Sequence, residues 1–345
     1  MLKILAIPKG EPEGNSCQYM LYREMEHQGC VVEDYRTVNP FKNKYDIIHI
    51  HWPELFANGK TLFHVLKKSS RFLRVLNSQK RKNAKIIWTC HDVISHYGQY
   101  PAIEKWLMKR FIKMVDAITV PLTSSYAYAC HYFPELEEKP YTVIPTGHYI
   151  GIYPNETGQA EARKKLNLPE KAQIIGLIGN ISEYKGIYEL LDAFDKTEHS
   201  DTFLLLAGIP NTVNIKKDVE KAASADQRIK IYWGHIPNAK LQLYLNASDV
   251  IVLPFRKINN SGSLYLALSF NKQVLVPDFP QMLEVKKEYA PDHVHTYSKG
   301  KLTATDLTRL LGQVKNQKVN NQPDLSEMDY DVLARKTVDF FENLL

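Results

Sequence analysis

Short apolar runs rich in branched side chains alternate along this chain with longer amphipathic segments. The short runs have the length of buried strands, and the longer segments repeat apolar residues at helical spacing. Alternation of this kind is typical of βα units, which build parallel sheets. In the first half, the pattern predicts strands at 3–7, 31–35, 46–51, 86–90, 117–121 and 142–145, with helices near 16–28, 59–77, 102–115 and 124–132.

The second half repeats the alternation after a break. Gly, Pro and Asn accumulate from Pro145 to Gly158, and no period holds there. A chain of 345 residues also exceeds the size at which a single core usually stops growing. We therefore predict an α/β protein with two Rossmann-like, doubly wound domains that face each other across a cleft. The second series predicts strands at 174–179, 203–208, 229–233, 250–255 and 274–277, with helices near 187–196, 215–225, 239–247 and 264–270.

The predicted domains comprise residues 1–150 and 151–328, and a last amphipathic helix at 329–345 should pack back on the first domain. Doubly wound sheets bind ligands beyond the carboxyl ends of their strands, so the strand-to-helix loops should carry the function.

Composition narrows the class of protein. An apolar share of 44% with 24% charged residues is ordinary for a soluble globular protein. No stretch approaches the roughly 20 apolar residues that span a bilayer, and the N-terminus predicts a first strand, not a signal peptide. The four cysteines are scattered without a Cys-x-x-Cys pair, which favours reduced cytosolic thiols over a disulfide frame or a zinc site. We expect a cytoplasmic location.

The distribution of charge changes this picture more than the net charge of +6 does. Nine basic residues and no acidic residue lie between Lys60 and Lys85. Within 61–76, apolar and basic residues together predict a helix that rests on an anionic membrane surface at the inner face of the cell membrane. The alternative is a core-packed helix with a solvated basic face. Nucleic acid is disfavoured because base-stacking aromatic residues are scarce there. The residues of this helix are Leu62, Val65, Leu66, Phe72, Leu73, Val75 and Leu76, with Lys67, Lys68, Arg71 and Arg74.

Histidines mark the predicted strand ends of the first domain. One strand ends in His49-Ile-His51 and is followed by Trp-Pro-Glu54, while the next runs into His91-Asp92. Any single histidine here could simply make a structural hydrogen bond, but several at one edge of a sheet favour a site. A metal site from these histidines and Asp92 is the minor alternative, because nothing in the sequence fixes the distance between the two loops.

Two loops of the second domain suit an anion. Lys185 and Gly186 open a helix after a Gly-containing strand end, where a lysine adds charge to the N–H groups of the helix. The cluster Ser261-Gly262-Ser263 precedes an apolar helix and could hold a phosphate or merely cap that helix. Neither a P-loop spacing nor a Gly-x-Gly-x-x-Gly sequence is present, which disfavours a dinucleotide.

Together these loops resemble those of the nucleotide-sugar-dependent glycosyltransferases of the GT-B fold. The resemblance rests on Gly179–Gly186, Pro145-Thr146-Gly147 and His91-Asp92, whose order matches over nearly the whole chain. It implies a GDP- or UDP-sugar as donor and a lipid-linked or saccharide acceptor, in the synthesis of a polysaccharide or glycolipid. A nucleotide-sugar epimerase and a non-catalytic nucleotide-sugar-binding module are the alternatives.

Three departures from the family pattern separate this chain from its typical members. Asn180 stands where the family usually has an arginine, and Leu266 stands where a glutamate usually binds the ribose. The usual first glutamate is also absent from 259–263. The chain is therefore more similar to divergent bacterial exopolysaccharide enzymes, such as β-mannosyltransferases and glucuronosyltransferases that act on lipid-linked sugars. The donor base and the stereochemistry stay open.

The resemblance assigns acceptor binding and any base to the first domain, and the nucleotide to the second. The catalytic candidates are His91, Asp92 and Glu54, with Glu11 as a further base. A missing family arginine leaves the diphosphate in need of charge, which Arg256, or secondarily Lys257, could supply. No Asp-x-Asp metal motif lies near these positions, so we expect neither a metal site nor a cofactor other than the donor. The donor-binding candidates are Lys185, Arg256, Ser261, Gly262, Ser263, Asn180, Gly147 and His148.

Overall fold

A computed structural model describes residues 1–12, 14, 16–93, 99–198, 200–316 and 321–345. The chain divides into two compact units, one formed by Met1–Gly147 with Ser326–Leu345 and the other by His148–Leu325. Each unit contains one six-stranded sheet in which every pairing is parallel. The predicted α/β architecture of two Rossmann-like domains is confirmed.

The first unit has the strand order β2-β1-β3-β4-β5-β6. Its strands are apolar because helices cover both faces of a parallel sheet. Phe72, Trp88 and Phe111 are buried on one face, and Tyr22 and Phe341 on the other. The elements are β1 Lys3–Ile7, α1 Ser16–His27, β2 Val31–Asp34, β3 Ile47–Ile50, α2 Leu62–Lys80, β4 Lys85–Thr89, α3 Pro101–Ile112, β5 Ala117–Val120, α4 Thr123–Tyr132, β6 Tyr141–Val143 and, at the end of the chain, α12 Tyr330–Glu342.

The second unit has the order β12-β11-β10-β7-β8-β9. Its elements are α5 Gln159–Lys165, β7 Gln173–Ile181, α6 Ile187–Asp195, β8 Thr202–Pro210, α7 Val213–Ala225, β9 Ile229–Trp233, α8 Leu241–Ala247, β10 Val250–Val252, α9 Gly262–Ser269, β11 Gln273–Pro277, α10 Pro280–Glu288, β12 Val294–Tyr297 and α11 Ala304–Asn316.

Each strand order reverses direction at one point. The reversal lies between β1 and β3 in the first unit and between β7 and β10 in the second. Loops on either side of such a point diverge and leave a crevice at the carboxyl ends of the strands. The loops after β3, β7 and β10 therefore occupy the positions where a ligand is expected.

The sequence pattern misses α5, α10, α11 and β12. Two of these elements lack a clear apolar pattern: α5 buries only Ala162 and Arg163, and β12 reads Val-His-Thr-Tyr. The prediction also extends β10 too far, since the strand ends at Val252 and not at Phe255. Apolar residues in the loop after β10 are buried without being strand, which a propensity pattern does not separate.

Helix α2 packs most of its apolar residues into the core. Of the apolar residues assigned to a membrane contact, only Leu62 and Leu66 are exposed, and Phe63 joins them at the same end of the helix. Lys68 donates to the Leu55 carbonyl (2.7 Å), and Arg71 donates to the Tyr35 hydroxyl (3.0 Å). Most of α2 is therefore packed on the core, as in the alternative interpretation, and only its N-terminal end exposes apolar side chains. Over the described ranges, we find no helix that combines the length and the apolar character needed to cross a membrane.

Candidate functional site

Buried polar side chains at the carboxyl ends of β3 and β4 form a connected group in the first unit. His49 and His51 alternate along the chain, so both side chains leave the sheet on the face that α1 covers. The Tyr22 hydroxyl, from α1, lies 2.7 Å from His49 Nδ1 and 2.7 Å from His51 Nε2. The two β3 histidines are thus joined through one tyrosine.

The hydrogen bonds continue to neighbouring strands on both sides of this core. His49 Nε2 lies 2.7 Å from Thr89 Oγ1, which lies 2.6 Å from Thr119 Oγ1. In the other direction, His51 Nδ1 lies 2.9 Å from His91 Nε2. The His91 ring stacks on Trp52, with ring centroids 4.9 Å apart.

Burial keeps these imidazoles neutral. Loss of solvent lowers the pKa of His49 to about 3 and the pKa of His91 to about 4, and the pKa of His51 falls well below its usual value for the same reason. Asp92 raises the pKa of His91 but does not outweigh burial. At neutral pH each ring therefore carries one N–H and one lone pair.

Asp92 acts on two ionisable groups near these strand ends, His91 and Glu54. Burial, together with the charges of Asp92 and Glu104, raises the pKa of Glu54 to about 8. Asp92 is thus near enough to shift the pKa of both His91 and Glu54. Glu11 is instead paired with Arg36 (2.7 Å) on the exposed surface. Within the described part of the chain, no group of three or more His, Cys, Asp or Glu side chains is arranged to hold a metal ion.

The second unit gathers a different set at its reversal point. Lys185, in the loop after β7, donates from Nζ to Ser263 Oγ (3.1 Å), and Ser263 belongs to the first turn of α9. Nζ also lies 4.0 Å from where a Cβ on Gly179 would be. Burial lowers the pKa of Lys185 to about 8, so the amine stays mostly protonated at neutral pH.

Glycine permits the close approach of the loops around Lys185. Gly186 has φ 74°, and a Cβ there would lie 1.8 Å from the Pro254 carbonyl oxygen in the loop after β10. Gly208 has φ 141°, and a Cβ there would lie 1.7 Å from the Gly179 carbonyl oxygen. Both contacts involve backbone, which cannot move aside as a flexible side chain can. The two loops at the reversal point are therefore held together by residues without side chains.

The Ser261-Gly262-Ser263 turn starts α9. Ser261 Oγ accepts a hydrogen bond from the Leu264 N–H (3.1 Å), so this serine caps the helix. A Cβ on Gly262 would lie 3.0 Å from the Tyr149 hydroxyl. The N–H groups of a first helical turn point out of the helix and favour an anion. Leu266 lies on the same helix, and Asn180 is exposed near the end of β7.

Arg256 is placed differently from the expectation. Its guanidinium pairs with Glu183 and Glu189, and these hydrogen bonds raise the pKa of Arg256. Its backbone N–H donates to the Tyr184 carbonyl (2.9 Å), which fixes the loop after β10 beside the loop after β7. The arginine is thus close to the Lys185 loop, but two carboxylates compensate its charge.

Gly147 and His148 lie where one unit ends and the other begins. A Cβ on Gly147 would lie 2.4 Å from the ring of Tyr330, the first residue of α12. Packing against this ring therefore explains why a glycine is present at this position. His148 Nδ1 accepts from the Ile150 N–H (3.2 Å). A contact of either residue with the donor stays a prediction.

Sequence reasoning missed the partners of the histidines, namely Tyr22, Thr89 and Thr119. Tyr22 lies on the buried face of α1 and the threonines lie on strands, so all three match an ordinary core pattern. The available signal was the pair His49 and His51 itself, because buried imidazoles require polar partners.

Known proteins resemble this chain in sequence and in structure. Residues 158–314 match the family of glycosyl transferases group 1. A GDP-mannose:glycolipid 4-β-D-mannosyltransferase of Xanthomonas campestris pv. campestris is 26% identical over 292 residues, which cover 84% of this chain and 77% of that protein. The Anabaena protein Alr3699/HepE in complex with UDP-glucose has a TM-score of 0.67 at 14% identity, over 100% of this chain and 98% of that one. A glycosyltransferase from Rickettsia africae has a TM-score of 0.67 at 12% identity, over 99% and 98% of the two chains.

Proposed function

We propose that this chain is a glycosyltransferase with the GT-B fold, which transfers mannose from GDP-mannose to a lipid-linked saccharide in polysaccharide or glycolipid synthesis. The observation that carries this proposal is the length of the similarity to the mannosyltransferase. It covers 84% of this chain, so it extends beyond the second unit into the unit that holds the histidines. A likeness confined to the second unit would support a nucleotide-sugar site without indicating an acceptor.

The second unit binds the donor diphosphate in this proposal. Lys185 supplies a half-buried positive charge, and the first turn of α9 supplies N–H groups beside it. A diphosphate carries charge that grows on the leaving oxygen as the bond to the sugar breaks. Fixed donors aimed at such an oxygen stabilise the transition state more than the ground state.

The first unit supplies the acceptor chemistry. If an α-linked donor gives a β-linked product, the configuration inverts and the acceptor hydroxyl must lose its proton to a base. A base is most effective when its pKa lies near the working pH. Glu54, with a pKa of about 8, fits this requirement, and Asp92 lies in the same environment. The ion pair with Arg36 makes Glu11 the weaker candidate.

A donor panel tests the proposal. We expect GDP and GDP-mannose to raise the melting temperature more than UDP and UDP-sugars do, because binding to the folded state stabilises it. With a lipid-linked oligosaccharide present, mannose should be transferred, and NMR of the product gives its anomeric configuration. Preferential binding and turnover of UDP-sugars would contradict the donor assignment. Conversion of the donor to another free nucleotide sugar would indicate an epimerase, and binding without turnover would indicate a binding module.

For the membrane that carries the acceptor, we propose a small docking surface at the N-terminal end of α2. Leu62, Phe63 and Leu66 are exposed there, next to the exposed Lys60 and Lys67. Apolar area and positive charge act together at an anionic leaflet, where each basic residue contributes about 1 kcal/mol.

Liposome flotation tests this docking surface. Wild-type protein should float with phosphatidylglycerol vesicles more than with phosphatidylcholine vesicles. Phe63→Ser and the double change Lys60→Glu/Lys67→Glu should each reduce flotation. Val213→Ser is the matched control, since Val213 is 70% exposed and Phe63 is 78% exposed, but Val213 lies in the second unit. Equal flotation of all four proteins would rule the surface out.

A further inference from the structure

Six side chains of the first unit form one connected line of hydrogen bonds. Each joins the next through the distances given above, between 2.6 and 2.9 Å. The line crosses from β5 through β4 and β3 to the loop after β4, with α1 providing its centre. In order, its members are Thr119, Thr89, His49, Tyr22, His51 and His91.

All hydrogen bonds of the line must donate in the same direction along it. Once the donor of one bond is fixed, the donors of all the others are fixed too. A neutral imidazole has one nitrogen that donates and one that accepts. His49 and His51 each use both nitrogens within the line, so each passes the direction on. The Tyr22 hydroxyl has a single proton and is fully buried between these two rings. It donates to one ring and accepts from the other, which couples the tautomers of the two histidines.

The far end of the line selects the direction. Thr119 is 1% exposed, and within the described ranges Thr89 is the only hydrogen-bond partner of its hydroxyl. If Thr89 donated to Thr119, the Thr119 proton would be buried without an acceptor. If Thr119 instead donates to Thr89, only a lone pair of the Thr119 hydroxyl oxygen stays unused. Buried donors without a partner are rarer in proteins than under-used acceptors, so the second arrangement is favoured.

We propose that this line fixes His91 as the tautomer protonated on Nδ1, with Tyr22, His49 and His51 as positioning residues for sugar transfer. In the favoured direction, Thr119 donates to Thr89, Thr89 donates to His49 Nε2, and His49 Nδ1 donates to Tyr22. Tyr22 then donates to His51 Nε2, and His51 Nδ1 donates to His91 Nε2. His91 is left with its N–H on Nδ1.

The fixed tautomer gives His91 a defined role, which rests on the proposed function. The Nε2 lone pair is taken up by His51, and Nδ1 carries a proton, so neither ring nitrogen offers a lone pair that could accept another proton. Such an imidazole binds and orients, and it does not receive the proton of the acceptor hydroxyl. The base of an inverting transfer is then a carboxylate, for which Glu54 and Asp92 lie in the same environment.

Long-range ¹H–¹⁵N NMR spectra of the full-length protein test the tautomer directly. They distinguish a protonated ring nitrogen from one with a lone pair, and loss of signals in His91→Gln assigns them. We expect wild-type His91 to show a protonated Nδ1 and an unprotonated Nε2. Tyr22→Phe interrupts the line at its centre and should give His91 a mixture of tautomers, with kcat lowered about tenfold and GDP affinity unchanged. Thr89→Val interrupts it nearer its far end without changing the side-chain shape and should also mix the His49 tautomers.

Tyr45→Phe is the matched control, because Tyr45 is equally buried in the same unit but donates to Glu33, outside the line. It should leave the His91 signals as in wild type. A wild-type His91 protonated on Nε2 or present as a mixture would overturn the proposal. So would a single, unchanged tautomer in both Tyr22→Phe and Thr89→Val. The NMR result does not depend on turnover, so it stands or fails separately from the assignment of donor and acceptor.

Discussion

At the strand ends of both units, burial lowers the pKa of a basic side chain, but the side chain is left neutral in one unit and charged in the other. In the first unit, burial lowers the pKa of His49 from 6.5 to about 3, and in the second it lowers the pKa of Lys185 from 10.5 to about 8. The histidine shift carries the group far below neutral pH, so the ring is uncharged. The lysine shift stops above neutral pH, so the amine keeps most of its charge.

This difference explains how one type of sheet can provide two kinds of site. Neutral, mutually hydrogen-bonded side chains at the first sheet orient protons, and a half-buried cation beside a helix N-terminus at the second sheet attracts an anion. The two sheets also differ in strand order, but in both of them the loops that carry these side chains lie near the point where the strand order reverses. The choice of side chains with different intrinsic pKa values, more than the sheet itself, separates the two sites.

Removal of the half-buried Lys185 amine should have the largest effect on the difference between the two sites. We expect Lys185→Ala to lower kcat/KM for the nucleotide sugar about 10²–10³-fold, as loss of an oxyanion-type contact does. Steady-state kinetics and GDP titration measure the effect. Lys272→Ala is the control, because burial also lowers the pKa of Lys272 to about 8, but this amine donates to the Ser248 carbonyl (3.0 Å) at the amino end of β11. Equal losses in both variants would show that burial of a lysine, and not its position, matters.

The next largest effect should come from the glycine contact that holds the second site together. Gly186→Ala should cost at least about 2 kcal/mol of unfolding free energy, from the positive φ and from the contact with the Pro254 carbonyl. Gly151→Ala has a similar φ of 76° with open space around its Cβ, so it should cost only about 1 kcal/mol. Urea unfolding measures both. Equal costs would remove the contact from the explanation.

A smaller effect, dependent on pH, should appear at the first site. The folded-state pKa of Glu54 is raised from 4.5 to about 8, so the folded protein holds an extra proton between these pH values. Stability due to this group is therefore lost as pH rises through that window. Glu54→Gln should be more stable than wild type by about 1–2 kcal/mol at pH 9, since one pKa unit is worth about 1.4 kcal/mol and water reaches part of the carboxyl. Near pH 4.5 the two should be almost equal.

Calorimetry at pH 5, 7 and 9 measures the Glu54 effect. Asp92 and Glu104, whose charges help to raise the pKa of Glu54, are present in both proteins. A stability difference that does not vary with pH would show that the carboxyl is not held protonated.

The smallest effect should be that of Arg256→Ala. Because Glu183 and Glu189 already compensate the guanidinium, we expect GDP affinity to fall less than about threefold, in the range of exposed ion pairs. Isothermal titration measures it. A loss as large as that in Lys185→Ala would mean that the arginine leaves its carboxylates for the diphosphate, and would support its predicted role as a ligand.

Arg256 also shows where prediction from sequence ends. The strands β1 and β9 have the predicted bounds, because apolar runs between polar turns identify buried strands. Arg256 follows β10, and this strand ends at Val252, earlier than predicted. Its carboxylate partners lie 67 and 73 residues away in the chain, so no local pattern indicates them.

The histidine site also shows which residues a sequence pattern can identify and which it cannot. The sequence identifies His51 and His91 because His51 ends one predicted strand, His91 follows the next, and parallel strands end at a common edge. Tyr22 could not be identified, because a tyrosine on the buried face of an amphipathic helix has the same pattern whether its hydroxyl is used or not. Only the packing of α1 on β3 brings that hydroxyl between two imidazoles.

Gly186 and Gly208 restrict how this enzyme can evolve. Every amino-acid replacement that a glycine codon reaches by one nucleotide change adds a Cβ, and at these two positions a Cβ would meet backbone within 1.8 Å. Genetic drift and laboratory selection should therefore keep glycine at both positions while donor preference changes elsewhere. A library meant to alter the sugar or the base should be diversified at sites such as Asn180, whose side chain is exposed beside the same loops.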